Sequence, residues 1–149
     1  MSQTHATVLG FDYGMEKIGV AVGQSVTRTT SPLTIVSAHH GKPDWPTISR
    51  LIQEWQPSEL VVGIPFNMDG SSSPMTGSAT RFANQLGGRY GLPVHRIDER
   101  LSTIEAEHRL RDRPSGGPRK RANVDHVAAQ VILETWFSEL PDLDVKSGA

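Results

Sequence analysis

The 149 residues can bury a core without disulfides or a structural metal, and they read as one domain over residues 1–149. There is no cysteine, which excludes disulfide scaffolds, thiol nucleophiles and thiolate zinc sites and fits a reducing cytoplasm. The 15 Lys and Arg nearly balance the 16 Asp and Glu, no apolar run approaches the roughly 18 residues of a membrane span, and residues 1–7 lack a secretory signal, so a cytoplasmic, soluble protein is expected.

In chain order, residues 8–13, 18–22 and 33–36 are rich in β-branched and apolar types and predict three strands. The turn between the first two is too short for a parallel crossover, so they should pair as an antiparallel hairpin. After a loop over 39–43, Trp45, Ile48, Leu51, Ile52 and Trp55 recur at helical spacing, and Pro57 stops that helix. Residues 60–64 are short and uniformly apolar, which predicts a strand covered on both faces. A polar loop over 66–73 leads into a helix opened by Ser73-Pro74, striped by Met75, Ala79, Phe82, Ala83, Leu86 and Tyr90, and stopped by Gly91.

A fifth strand is expected over 94–97, followed by a capping box, Ser102 to Glu105, that opens a helix to about Arg111. The segment from Pro114 to Pro118 cannot continue it. A last helix beginning near Asn123 should turn Val124, Val127, Ala128, Val131, Ile132 and Thr135 towards the sheet and end at Pro141, leaving 141–149 as a flexible tail. This order predicts an α/β domain with a mixed five-stranded sheet flanked by helices, the element order of the ribonuclease H-like fold.

Asp12 stands where the first apolar strand ends, and a carboxylate there is costly to desolvate unless a metal, a cation or hydrogen-bond donors compensate. Asp98-Glu99-Arg100 and Asn123-Val124-Asp125-His126 also place acids at the edges of apolar segments. Three distant pieces of chain can therefore bring carboxylates together, and such clusters bind divalent metals. Asp98 and Glu99 are consecutive in an extended segment, so only one of them should reach such a site. The stretch holding Arg109, Arg111, Arg113, Arg119, Lys120 and Arg121 has Asp112 as its single acid, with Arg96 and Arg100 upstream. It can neutralise phosphates or form a solvated basic loop.

Four motifs occur in register from about residue 7 to 139: Gly10-Phe11-Asp12-Tyr13-Gly14 with Ile18-Gly19-Val20-Ala21; Val62-Gly63-Ile64-Pro65 with Asp69-Gly70-Ser71; Asp98-Glu99-Arg100-Leu101-Ser102-Thr103; and Val124-Asp125-His126-Val127-Ala128-Ala129. Together they resemble the YqgF family, the Holliday-junction-resolvase-like proteins also called pre-16S ribosomal RNA nucleases. The resemblance implies a metal-dependent phosphodiester hydrolase that matures the 5′ end of 16S RNA. Its substrate would be precursor ribosomal RNA, with ribosomal subunit components as further partners, no membrane, and a monomeric or weakly dimeric state.

The resemblance also points to Asp12, Glu99 and Asp125 as the catalytic, metal-holding set. Two divalent ions about 4 Å apart can activate a water and stabilise the leaving oxygen, and magnesium, with manganese as substitute, suits oxygen ligands. Asp98 would orient a neighbour or pair with Arg100, and Asp69 would shape its loop. Arg100, Arg119, Lys120 and Arg121 would hold the nucleic-acid backbone without reading sequence. His126 is the histidine best placed to move a proton, against a surface or supporting role; Trp45, Trp55 and Phe82 fit core positions better than base-stacking ones.

Three other readings compete. An actin-like or sugar-kinase-like nucleotide site would need a second such domain; a non-catalytic RNA-binding factor would share the basic run; and a Holliday-junction resolvase acting on branched DNA would share the fold.

Overall fold

A computed structural model describes residues 6–100 and 121–140, the side chains of 121–127 excepted. Six strands form one sheet: β1 (Thr7–Asp12), β2 (Lys17–Gln24), β3 (Thr29–His39), β4 (Lys42–Pro43), β5 (Glu59–Ile64) and β6 (Val94–Asp98). The helices are α1 (Trp45–Trp55), α2 (Pro74–Tyr90) and α3 (Arg121–Ser138). The expected helix over 102–111, the segment 114–118 and the tail 141–149 lie outside the described residues.

The spatial order is β4-β3-β2-β1-β5-β6. β1 to β4 form an antiparallel meander, and β5 and β6 extend it in parallel with β1. The sheet thus has six strands where five were expected. The addition is β4, whose two residues pair with Ala38 and His39 across a tight turn at His40 and Gly41. Both turn residues have positive φ, 51° and 83°, as a two-residue hairpin requires. The sequence hid it because His-Gly carries this turn more weakly than Asn-Gly.

β3 begins four residues earlier than its apolar run, passing through Pro32. The register shifts between Val20 and Ala21, opposite Pro32, and a bulge on an edge stretch tolerates the missing N–H. The helix boundaries follow local chemistry more closely. Asp44 caps α1, accepting from the Thr47 amide at 3.3 Å and the Thr47 hydroxyl at 2.7 Å, and Gln56 closes the helix in the left-handed region before Pro57. Ser73 opens α2, where the Thr76 hydroxyl accepts from the Ser73 amide and donates to the Pro65 carbonyl, tying the helix start to the end of β5.

Strand alternation divides the core into two layers. Leu9, Phe11, Val20, Leu60 and Val62 face α1 and α2, packing on Ile48, Phe82, Ala83 and Leu86. Val8, Ala21, Val61 and Ile97 face α3, which buries Ala129, Ile132, Leu133, Trp136 and Phe137 against them. Of the expected stripe, Val131, Ile132 and Thr135 are buried, and Leu133, Trp136 and Phe137, which that stripe left out, are buried as well. Residues 131–133 are consecutive aliphatics, and all are buried, so periodicity alone could not select the face.

Helix α3 comes close because the strands beneath it carry glycine. A Cβ at Gly10 would lie 2.5 Å from Leu133 Cγ, and one at Gly63 would lie 2.5 Å from Ile132 Cδ1. Gly10→Ala should therefore destabilise the fold by about 1–3 kcal/mol, the usual cost of overpacking. Leu133→Ala should cost about 2–5 kcal/mol through a cavity. Combined, the two should cost clearly less than their sum, since the truncated leucine leaves room for the new methyl. Urea midpoints of the four proteins check this; strict additivity would mean that the two positions do not press on one another.

Candidate active site

The parallel strands β1, β5 and β6 end at one edge of the sheet, with Phe11 beside Val62 and Ile64 beside Asp98. Asp12 is the last residue of β1 and half-buried. It continues the parity of Val8 and Gly10, so its side chain lies on the face that α3 covers.

At the end of β6 the two consecutive acids part. His95 stacks on Trp136 of α3 at 4.8 Å and Ile97 joins the α3 core, while Arg96 donates to Asn84 of α2 on the other side. Asp98 follows Arg96 onto the α2 face. Glu99 begins a helical turn, and its Cγ lies 3.3 Å from the position of a Cβ at Gly63, beside Ile132. Asp12 and Glu99 thus share the α3 face at the carboxyl ends of their strands, and Asp98 does not.

Asp98 forms instead a multidentate pair with Arg100. Arg100 Nη2 donates to Oδ2 at 2.6 Å, Nε donates to both carboxylate oxygens at 3.1 Å, and the Arg100 amide donates to Oδ1 at 3.0 Å. These bonds hold the Asp98 carboxyl below the usual carboxylate range, chiefly through the guanidinium. Arg100 Nη1 reaches across to the Met68 carbonyl at 3.1 Å. Arg100 thus links the end of β6 to the loop after β5, with its side chain about one-third exposed.

Within that loop Asp69 accepts from the amide and hydroxyl of Ser71 at 2.9 and 2.6 Å, which lowers its pKa, and Gly70 turns the chain at φ 91°. Asp69 is a turn-forming residue, as its sequence context suggested. Phe82 is buried, and Trp45 and Trp55 pack partly buried against the same core.

The third expected acid, Asp125, lies on α3, and the course of that helix locates its backbone. Phe137 packs on Gly23, which pairs with Val8 at the start of β1; Leu133 packs on Gly10, and Ile132 on Gly63 near the end of β5. The helix therefore runs, towards its N-terminus, in the direction of the edge that holds Asp12 and Glu99. Asp125 precedes Ile132 by seven residues, about 10 Å along the axis. The side chains of Arg121, Asp125 and His126 fall outside the described structure, as do Arg119 and Lys120 altogether.

Among the described residues no three acidic or histidine side chains form a metal-binding group, and the expected set has only two members there. Those two fit a hard divalent cation, since both offer carboxylate oxygens at one edge of the sheet, Asp12 from the end of β1 and Glu99 from the residue after β6. The missing side chain of Gly63 keeps open the space into which Glu99 leans. The sequence reading took Gly63 only as part of a motif, although an isolated glycine within an apolar strand signals a close approach.

A carboxylate-bearing strand end under the last helix of a meander extended by parallel strands defines a ribonuclease H-like domain. The chain superposes on the fowlpox virus resolvase in complex with substrate Holliday junction DNA with a TM-score of 0.57 and 12% identity, covering 91% of this chain and 99% of that one. On the T. thermophilus RuvC in complex with Holliday junction substrate the TM-score is 0.52 at 17% identity, covering 89% and 94%. Residues 6–139 match the model of the RuvX family, described as Holliday junction resolvase, and the chain belongs to this family, the one its motifs resemble under the name YqgF. A protein of Nitrosococcus oceani named "Putative pre-16S rRNA nuclease" is 53% identical over 132 residues, 89% of this chain and 86% of that protein.

Proposed function

We propose that this chain is a divalent-metal-dependent nuclease that hydrolyses phosphodiester bonds in precursor 16S ribosomal RNA, in the cytoplasm, at the 5′ end of the mature sequence. The observation that carries the reading is the placement of Asp12 and Glu99 on one face at one edge of the sheet, while the adjacent Asp98 is turned away into an ion pair. The name of the N. oceani relative supports ribosomal RNA as substrate.

Asp12, Glu99 and Asp125 would hold the cation, with magnesium suited to their hard oxygens and manganese as substitute. Bound there, it would supply charge stabilisation at the phosphodiester and a nucleophile at neutral pH. The protein's own contribution is positional. Asp12 is held by the β1 ladder, and Glu99 directly follows β6 with its Cγ over Gly63. Arg100, Arg119, Lys120 and Arg121 would neutralise backbone phosphates, Arg100 from the position that its bonds to Asp98 and Met68 give it.

The family description and the two resolvase complexes favour a second reading, in which branched DNA is the substrate. One assay separates the two. Purified protein is given precursor 16S RNA, an unrelated structured RNA and a four-way DNA junction, each with magnesium or with chelator. Magnesium-dependent cleavage of the precursor alone is expected. Cleavage of the junction alone would transfer the function to DNA, and no cleavage of any substrate would favour a non-catalytic RNA-binding factor.

A further inference from the structure

On the face of the sheet opposite Asp12, a cavity of about 570 Å³ opens between the β1–β2 turn, the His40–Gly41 turn and α2. Tyr13, Met15, Trp45 and Phe82 supply its apolar part; His40, Lys42 and Arg81 supply its polar rim. No carboxylate occurs among its eleven lining residues. Of the acids next to it in sequence, Glu16 is not in the lining and Asp44 directs its carboxylate to Thr47.

The cavity is built before any ligand arrives. Tyr13 Oη donates to the Gly41 carbonyl at 2.6 Å and the Gly41 amide donates to the Met15 carbonyl at 2.9 Å, locking the two turns together. Trp45 stacks on Phe82 at 5.8 Å, and the Arg89 guanidinium lies 4.0 Å from its ring centre. Lys42 and Arg81 are exposed, so their charges are available to solvent, while Ser78 and Gln85 add neutral donors and acceptors.

An apolar recess with cations at its rim and a hydroxyl and an amide within reach matches one nucleotide. The base would lie against the exposed Met15 and the partly exposed Trp45, and the phosphate would sit near Lys42 and Arg81. The volume falls in the range of about 300–1,000 Å³ typical of small-ligand sites, which suits one unstacked nucleotide and not a duplex. The location gives the recess a purpose. Tyr13 follows Asp12 directly, with Cα atoms about 3.8 Å apart, so a strand crossing the sheet edge at Asp12 can drop a neighbouring nucleotide into the recess behind it.

We propose that this cavity is a subsite for one nucleotide of a single-stranded segment adjoining the cleaved phosphodiester. The position relative to cleavage rests on the nuclease reading, but binding in the cavity does not. The test therefore reads binding without magnesium, where no cleavage occurs. Uniformly ¹⁵N-labelled protein is titrated with a 5′-phosphorylated uridine pentamer, its deoxyuridine counterpart and free UMP. The pentamers should shift the amides of Gly41, Lys42, Ser78 and Arg81.

The exposed double variant Lys42→Glu, Arg81→Glu should keep the wild-type thermal midpoint and bind the pentamers at least about tenfold more weakly. Its salt slope should also be shallower, by about 0.7 for each phosphate that is no longer neutralised. A preference for one pentamer identifies the sugar the site takes. UMP binding as tightly as either pentamer, shifts confined to other surfaces, or equal affinity of variant and wild type would each overturn the strand subsite. A wild type that binds in the cavity yet cleaves nothing would overturn the nuclease reading alone.

Discussion

Asp12→Asn is expected to abolish magnesium-dependent cleavage of a precursor 16S fragment while changing RNA affinity by less than about threefold. The substitution keeps the size of the side chain and removes its charge at a strand end whose ladder to Gly19 is made by backbone atoms alone. The fold should therefore survive. A cation in this setting is worth several kcal/mol of transition-state stabilisation, and at about 1.36 kcal/mol per tenfold its loss corresponds to about 10³-fold in rate. Affinity depends instead on phosphate contacts from basic residues, which this exchange does not touch. Single-turnover measurements separate the chemical step from product release. Magnesium should also raise the thermal midpoint of the wild type and hardly that of the variant, because a cation that binds only the folded site stabilises it by mass action. Cleavage persisting in Asp12→Asn would remove the residue on which the catalytic reading turns.

Asp12 could be singled out from the sequence because a carboxylate ending an apolar strand is conspicuous. Elements with sharp local punctuation were equally legible: Pro57 follows the end of α1, Ser73-Pro74 and Gly91 bound α2, and the uniformly apolar β5 is covered on both faces as its composition demands. Elements made by tertiary context were not. β4 exists because His40 and Gly41 adopt positive φ and Tyr13 donates to the Gly41 carbonyl, a contact spanning 28 residues. The face of α3 was hidden for a related reason. Val131, Ile132 and Leu133 are equally apolar, and the glycines at 10 and 63 decide which of them approach the strands. The pair of Asp98 with Arg100 was legible from their adjacency, but the further bond from Arg100 to Met68 was not, since Met68 is distant in sequence and offers only a carbonyl.

The neighbouring acids Asp98 and Glu99 should give opposite results on substitution, and this contrast probes the site most directly. Glu99→Gln removes a carboxylate from the face that also carries Asp12, so it should lower cleavage by about 10²–10³-fold, the scale on which a single electrostatic group acts, with RNA affinity retained. Asp98→Asn leaves that face intact and breaks the pair with Arg100, whose guanidinium then holds Met68 less firmly. Cleavage should fall only modestly, mainly through KM, while the amides of Gly70 and Ser71 exchange faster with solvent. The Asp98 carboxyl, like that of Asp69, has a pKa that folding depresses. Its contribution is fully present above the ordinary carboxylate range and disappears as pH falls through its lowered value, so Asp98→Asn should remove part of the acid-side loss of stability of the wild type. The pair is about one-third exposed on each side, so solvent screens it and the effect should be small. If instead Asp98→Asn abolished cleavage and Glu99→Gln were nearly silent, the face on which the active site is built would be the α2 face, and Asp12 would have to act without Glu99.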